Sequence, residues 1–100
     1  MQFIVIAYDG TDAKALERRM AVRPEHLKQA EHWHENGQWL YACGILDVQG
    51  NLIGSMIVCD FPSRDALQRD WLNHEPYVLG KVWERIEVHP ALVPPFYLRR

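Results

Sequence analysis

Residues 38–61, QWLYACGILDVQGNLIGSMIVCDF, decide the fold. Gln38 to Leu46 and Leu52 to Phe61 are two apolar runs of strand length, and Asp47-Val48-Gln49-Gly50-Asn51 between them is a hairpin-length connector rich in turn residues. Pairing about Gly50 sets Cys43 opposite about residue 55 and Cys59 opposite about residue 39. That offset is roughly 13 Å at the strand rise, beyond disulfide reach. Both cysteines therefore read as reduced, buried packing residues.

Upstream of the hairpin, Asn36-Gly37 is a C-terminal cap for a helix that Val22-Arg23-Pro24-Glu25 opens. Leu27, Ala30, Trp33 and, less clearly, His34 trace one face at helical spacing, which predicts a helix from Pro24 to Asn36. His26 lies beside that stripe, so its truncation should cost little packing. Ala13 to Met20 (AKALERRM) predicts a separate helix of one or two turns. Before it, Gln2 to Tyr8 (QFIVIAY) is a strand with apolar residues at nearly every position, closed by the turn chemistry of Asp9-Gly10-Thr11-Asp12.

Downstream, Pro62-Ser63-Arg64-Asp65 opens a second helix with Ser63 as N-cap before Ala66, Leu67, Asp70 and Trp71. Asn73-His74-Glu75-Pro76 ends it. Val82 to His89 is a fourth strand, and the proline-rich tail with Phe96 and Tyr97 reads as extended. The division expected is one domain over residues 1–90 and an extended C-terminal tail over 91–100.

The order β-α-β-β-α-β is the split-βαβ signature of a ferredoxin-like α+β fold with a four-stranded antiparallel sheet. Its helices cover one sheet face. Strands one to three read as apolar on both faces, so the bare face needs a partner, and self-association into a homodimer supplies it.

One hundred residues make one domain, and the apolar fraction of 48% supports a packed core. The net charge is −2 and the eleven Lys and Arg are scattered, without the basic stripe of a nucleic-acid binder. No apolar run reaches the length of a membrane span, and no secretory signal is visible, so we expect a cytoplasmic protein.

Asp9 at the end of strand one and His26 near the start of the helix can lie at one sheet edge, near the helix-covered face. Together they would form an acid–base dyad in which Asp9 fixes the imidazole tautomer and His26 acts as general base. A second reading stands beside it: Asp9 before Gly10 serves the turn, and His26 is solvated. His32 and His34 point about 200° apart on a helix and cannot easily share an ion, so no metal site is expected. His74-Glu75 reads as a capping segment. Trp33, Trp39 and Trp83 read as core. There is no Gly-rich phosphate loop and no G-x-S-x-G.

The segments FIVIAYDGTDA (3–13), ERRMAVRPEHL (17–27), GSMIV (54–58) and EPYVLGKVWERIEV (75–88) resemble the YciI-like family of the dimeric α/β-barrel superfamily. The R-x-x-H-L element, Arg23 to Leu27, and the early Asp9 are the most specific parts of the likeness. The resemblance implies a ferredoxin-like protomer whose sheets pack face to face in a dimer or a higher oligomer. It also implies an Asp–His site on Asp9 and His26, working without metal or organic cofactor. Ser55 and Tyr77 match further family positions and are expected to bind substrate. The acid before Pro76 is usually Asp in relatives and is Glu75 here. Family members include lyases that eliminate HCl and isomerases, acting on chloroaromatic compounds and lactones.

The leading expectation is thus a small cofactor-free lyase or isomerase acting on an unsaturated or ring-derived small molecule. The alternative is a non-catalytic dimeric binding or accessory protein. Cofactor-independent oxygenation, found in the wider superfamily, has no feature here that favours it.

Overall fold

The computed structural model describes residues 1–98; the last two residues of the expected tail lie outside the described residues. Four strands, β1 (Gln2–Asp9), β2 (Trp39–Leu46), β3 (Leu52–Asp60) and β4 (Trp83–Ala91), form one antiparallel sheet in the order β2-β3-β1-β4. This is the expected ferredoxin-like α+β topology. In β1 the residues Phe3, Val5, Ala7 and Asp9 are buried and alternate with half-buried ones, as a strand with one helix-covered face requires.

The hairpin between β2 and β3 closes where its turn residues lie. The Asp47 carboxylate accepts from the backbone N–H groups of Gln49 and Asn51, each at 2.9 Å. Gly50 takes φ 85°, a conformation that costs glycine least. Cys59 stands opposite Trp39 as expected, while Cys43 stands opposite Met56 after a register shift near residue 40. The two cysteines therefore face opposite sides of the sheet. Cys59 is buried, and burial pushes its thiol up to about 12. The expectation that Cys43 is buried is corrected: it is exposed, on the face that no helix covers.

The connection from β1 to β2 also departs from expectation. A single helix, α1 (Ala15–Glu35), runs 21 residues with Pro24 inside it. Pro24 forgoes the bond to the Met20 carbonyl, but both residues are exposed, so water can serve that group. The expected stripe holds at Ala30 and Trp33 but not at Leu27, which is 46% exposed. Ala15, Arg19 and His26 are buried, and Val22, Ala30 and Trp33 pack against the core.

After β3, the Ser63 Oγ accepts from the Ala66 N–H at 3.0 Å, the expected N-cap. The segment then changes pitch, from α2 (Arg64–Ala66) to a π turn (Leu67–Trp71) and a 3₁₀ turn (Leu72–His74). A short α3 (Pro76–Leu79) follows. These turns bury Leu67, Trp71, Leu72 and Tyr77 against Phe3, Val5, Ile57 and Phe61. Trp71 stacks parallel to Phe61 at 6.0 Å and meets Trp39 edge-on at 5.0 Å. Ala91 still pairs with Gln2, and Pro95–Leu98 forms a 3₁₀ turn, so the segment after residue 90 is not extended throughout.

The uncovered sheet face carries Ile4, Ile6, Met56 and Val58 at its centre, with Tyr41 and Ile45 on β2. Along β4 the same face carries Arg85, Glu87 and His89. It is apolar over three strands and charged on the fourth. No helix among the described residues is long and apolar enough to cross a membrane.

Pro24→Ala should raise the unfolding free energy in urea by about 1–3 kcal/mol, because it restores a helical donor at an exposed position and loses only the smaller unfolded-state benefit of proline. A drop in stability would mean that the helix needs a proline-set bend.

Candidate active site

Two polar side chains on the inward face of α1 build the site. Arg19 and His26 are seven residues apart, two helical turns, so both point at the sheet. Arg19 is 3% exposed. Its Nη1 donates to both Asp9 oxygens, at 2.9 and 3.1 Å, and its Nη2 donates to Ser55 Oγ at 2.9 Å. The guanidinium carbon lies 4.6 Å from the centre of the Tyr77 ring. Burial pushes the Asp9 carboxyl up from its ordinary value, against the pull of Arg19.

Ser55 accepts a second hydrogen bond, from Trp83 Nε1 at 3.3 Å. Both of its acceptor positions are then occupied, and its own O–H remains available as a donor. Tyr77 is fully buried, which pushes its phenol above the ordinary range.

His26 is 7% exposed and its Nδ1 lies 2.7 Å from Glu75 Oε1. Glu75 is itself 1% exposed, and its other oxygen is buried without a hydrogen-bond partner among the described residues. The imidazole stacks on Tyr77 at 3.9 Å with a 15° tilt, and the rings of Trp39 and Trp83 flank it at 5.9 and 6.0 Å. Glu75 is the acceptor, so the proton sits on Nδ1 and Nε2 is the basic nitrogen. No hydrogen bond to Nε2 occurs among the described residues.

A cavity of about 230 Å³ opens between α1 and the β2–β3 edge of the sheet. Arg19, Arg23, His26, Ser55 and Tyr77 line it, with Trp39 among its apolar walls.

Three of the four residues expected from sequence, His26, Ser55 and Tyr77, thus share one cavity. Asp9 does not line it, and no hydrogen bond joins Asp9 to His26 among the described residues. The carboxylate on His26 is Glu75, and Asp9 reaches the site through Arg19. His26 is neither solvated nor cheap to truncate, since its loss would strand the buried Glu75. Glu75 is a capping residue, as expected, its backbone closing the 3₁₀ turn and opening α3, and its side chain is also the partner of His26. Arg19 lies in the segment expected to be a short separate helix. Their signal was spacing: Ala15, Arg19, Val22 and His26 keep the helical period once charged residues are admitted to it.

His32 and His34 serve local structure. His32 lies 3.2 Å from the Asn36 side chain, and His34 Nδ1 lies 3.2 Å from the Trp39 carbonyl, to which it donates. Among the described residues no group of three His, Cys, Asp or Glu is placed to hold a metal ion.

Arg19→Met should cost about 3–5 kcal/mol in urea unfolding, because Asp9 is left buried without its counter-charge. Asp9→Asn added to it should recover part of that loss; strict additivity would mean that the two residues are not coupled.

Comparison with known proteins agrees with the fold. A solved structure of 5-chloro-2-hydroxyhydroquinone dehydrochlorinase (TftG) from Burkholderia phenoliruptrix AC1100, in complex with 2,5-dihydroxybenzoquinone, superposes with a TM-score of 0.81. It covers 96% of this chain and 98% of that one at 15% identity, which establishes a shared fold. Protein YciI of Escherichia coli O6:H1 (strain CFT073) and Protein YciI of Shigella flexneri are each 33% identical over 96 residues, covering 90% of this chain and 95% of theirs. The YCII-related domain matches residues 1–91, which takes in every residue of the site just described. On that match and on the identity to the two YciI proteins, the chain belongs to the YCII-related, or YciI-like, family.

Proposed function

We propose that this protein is a small cofactor-free enzyme, a lyase or isomerase, in which His26 moves a proton on an unsaturated or ring-derived small molecule. The observation that carries this reading is the 2.7 Å contact of buried His26 with buried Glu75 beside a cavity. A histidine held in one tautomer, with a carboxylate behind it, is built to accept a proton at Nε2 and to be stabilised as the imidazolium. The likeness to a dehydrochlorinase supports a small-molecule enzyme of this kind.

In an elimination, Nε2 removes a proton from the substrate, the freed electron pair forms the new double bond, and the leaving group departs with its own pair. An isomerisation returns the proton at another carbon. The O–H groups of Ser55 and Tyr77 are donors for substrate oxygen where negative charge develops. Asp9 is a positioning residue in this scheme: it holds Arg19, which in turn holds Ser55 and packs on Tyr77.

The functional unit we propose is a homodimer joined through the uncovered sheet face, where Ile4, Ile6, Met56 and Val58 would leave water. Sedimentation equilibrium should give a dimer at micromolar concentration, and Ile6→Lys should shift it toward monomer. A folded wild-type monomer at that concentration would overturn the assembly.

For the chemistry, a panel of halogenated and hydroxylated quinols, scored by chloride release and ultraviolet absorbance, should contain a substrate. His26→Gln is preferable to alanine because it keeps a hydrogen-bonding group toward Glu75. It should lower kcat by about 10²–10⁴-fold while circular dichroism stays unchanged. Glu75→Gln should lower it less, because an amide oxygen can still accept from Nδ1. Unimpaired turnover in His26→Gln would remove the mechanism and leave a binding protein as the better reading.

A further inference from the structure

The cavity wall has an uneven charge. Arg19, Arg23 and His26 line it, and no Asp or Glu does. They lie at i, i+4 and i+7 of α1, one face of one helix. Two of the three have carboxylate partners behind the wall, Asp9 for Arg19 and Glu75 for His26. Arg23 makes no hydrogen bond or ion pair among the described residues.

The bland explanation is that Arg23 is a solvated surface arginine. Two observations weigh against it. Arg23 is half-buried rather than exposed. The other described arginines all have partners, the exposed ones included: Arg18 with Asp12, Arg64 with Gln68, Arg69 with Asp70 and Arg85 with Glu87. Burial pushes the Tyr77 phenol up, and the positive charge of Arg19 pulls it down, joined by that of Arg23. The Arg23 charge is therefore felt inside the cavity.

We infer that Arg23 is the specificity-determining anchor of the site, holding an anionic oxygen, carboxylate or phenolate, on a planar unsaturated substrate. This inference rests on the reading of the cavity as a substrate pocket. A guanidinium without a counter-ion, in a wall without acids, favours an anion over its neutral isostere, and its planar fork suits a carboxylate in two parallel hydrogen bonds. The volume, about 230 Å³, falls below the roughly 300–1,000 Å³ of pockets for drug-sized ligands, which points to a ligand of about one ring. The aromatic side chain of Trp39 in the wall suits a flat one.

The probes are salicylate, its neutral isostere salicylamide, and phenol at pH values on either side of its ionisation, titrated against the intrinsic tryptophan fluorescence to which Trp39 contributes. Wild-type protein should bind salicylate at least tenfold more tightly than salicylamide, and added salt should narrow the gap. Arg23→Gln should remove that preference by weakening salicylate at least tenfold and leaving salicylamide unchanged. Arg23→Lys should keep part of it, having the charge without the fork. Tighter binding of ionised phenol that also disappears in Arg23→Gln would extend the anchor to phenolates; its absence would restrict the anchor to carboxylates. Equal binding of salicylate and salicylamide to wild type, binding of neither, or a preference that survives Arg23→Gln would each overturn the inference. His26→Gln separates the anchor from the chemistry, since it should lower kcat as above and keep the anion preference. If the preference disappears in His26→Gln but not in Arg23→Gln, the histidine is the anchor and the inference fails. If no quinol is turned over yet the Arg23 preference holds, the proton-transfer mechanism fails alone.

Discussion

The ion pair between Arg19 and Asp9 is the contact on which the rest of the arrangement depends. It joins the first third of α1 to the end of β1, and through Ser55 it reaches β3. A guanidinium at 3% exposure loses hydration worth several kcal/mol and is tolerated only where geometry returns it. Two donors on one carboxylate, a third on a hydroxyl and an aromatic face beside the guanidinium return it here. Two turns along, His26 and Glu75 repeat the device and tie α1 to the segment before α3. Arg19 thus fixes α1 to the sheet and His26 fixes it to the segment before α3, with Val22, Ala30 and Trp33 packed beside them, and small errors of rotation would break both contacts at once. That constraint holds the candidate catalytic groups in place.

The same constraint explains what could be read from sequence. The hairpin was legible because its signals are local: strand-length apolar runs, a connector with Asp47 and Gly50, and a register that places Cys59 opposite Trp39. The N-cap at Ser63 was legible for the same reason. The second half of α1 and its Asn36-Gly37 end were legible too, but its continuity with the first half was not, because the hydrophobic period assumes an apolar inward face and two of its deepest positions are Arg19 and His26. Pro24 then suggested a start where the chain continues, since an exposed carbonyl that can turn to water makes an interior proline tolerable. Cys43 was misplaced because an apolar strand without a second layer over it looks the same in sequence as one that has it.

The site residues divide along the same line. His26, Ser55 and Tyr77 came from residue type and family likeness, and they meet at one cavity. Which acid serves which base is a tertiary fact that spacing cannot supply. Asp9 and Glu75 are both plausible partners for an imidazole, and the bulge after Tyr8 together with the position of α3 assigns one to Arg19 and the other to His26.

The cavity exists because the packing is unequal along the helix–sheet seam. At one end Trp39, Phe61 and Trp71 fill the space with stacked and edge-on rings. At the other, the inward positions of the edge strand β2 are Ala42 and Gly44, which leave the space open. A Cβ on Gly44 would come within 2.5 Å of Leu52 Cδ2, the tip of a flexible side chain that also lines the cavity, so a larger residue there would displace Leu52. The charges are sorted across that opening, with cations and hydroxyls on the wall and their carboxylates behind it. Fixed dipoles and charges arranged this way need no reorganisation when negative charge appears on a ligand, and they act most strongly in a site that water only partly enters. A fold that uses buried ion pairs to dock its helix thereby gains a wall that is positive toward the cavity, and the contacts that stabilise the protein are the ones that define what it can bind.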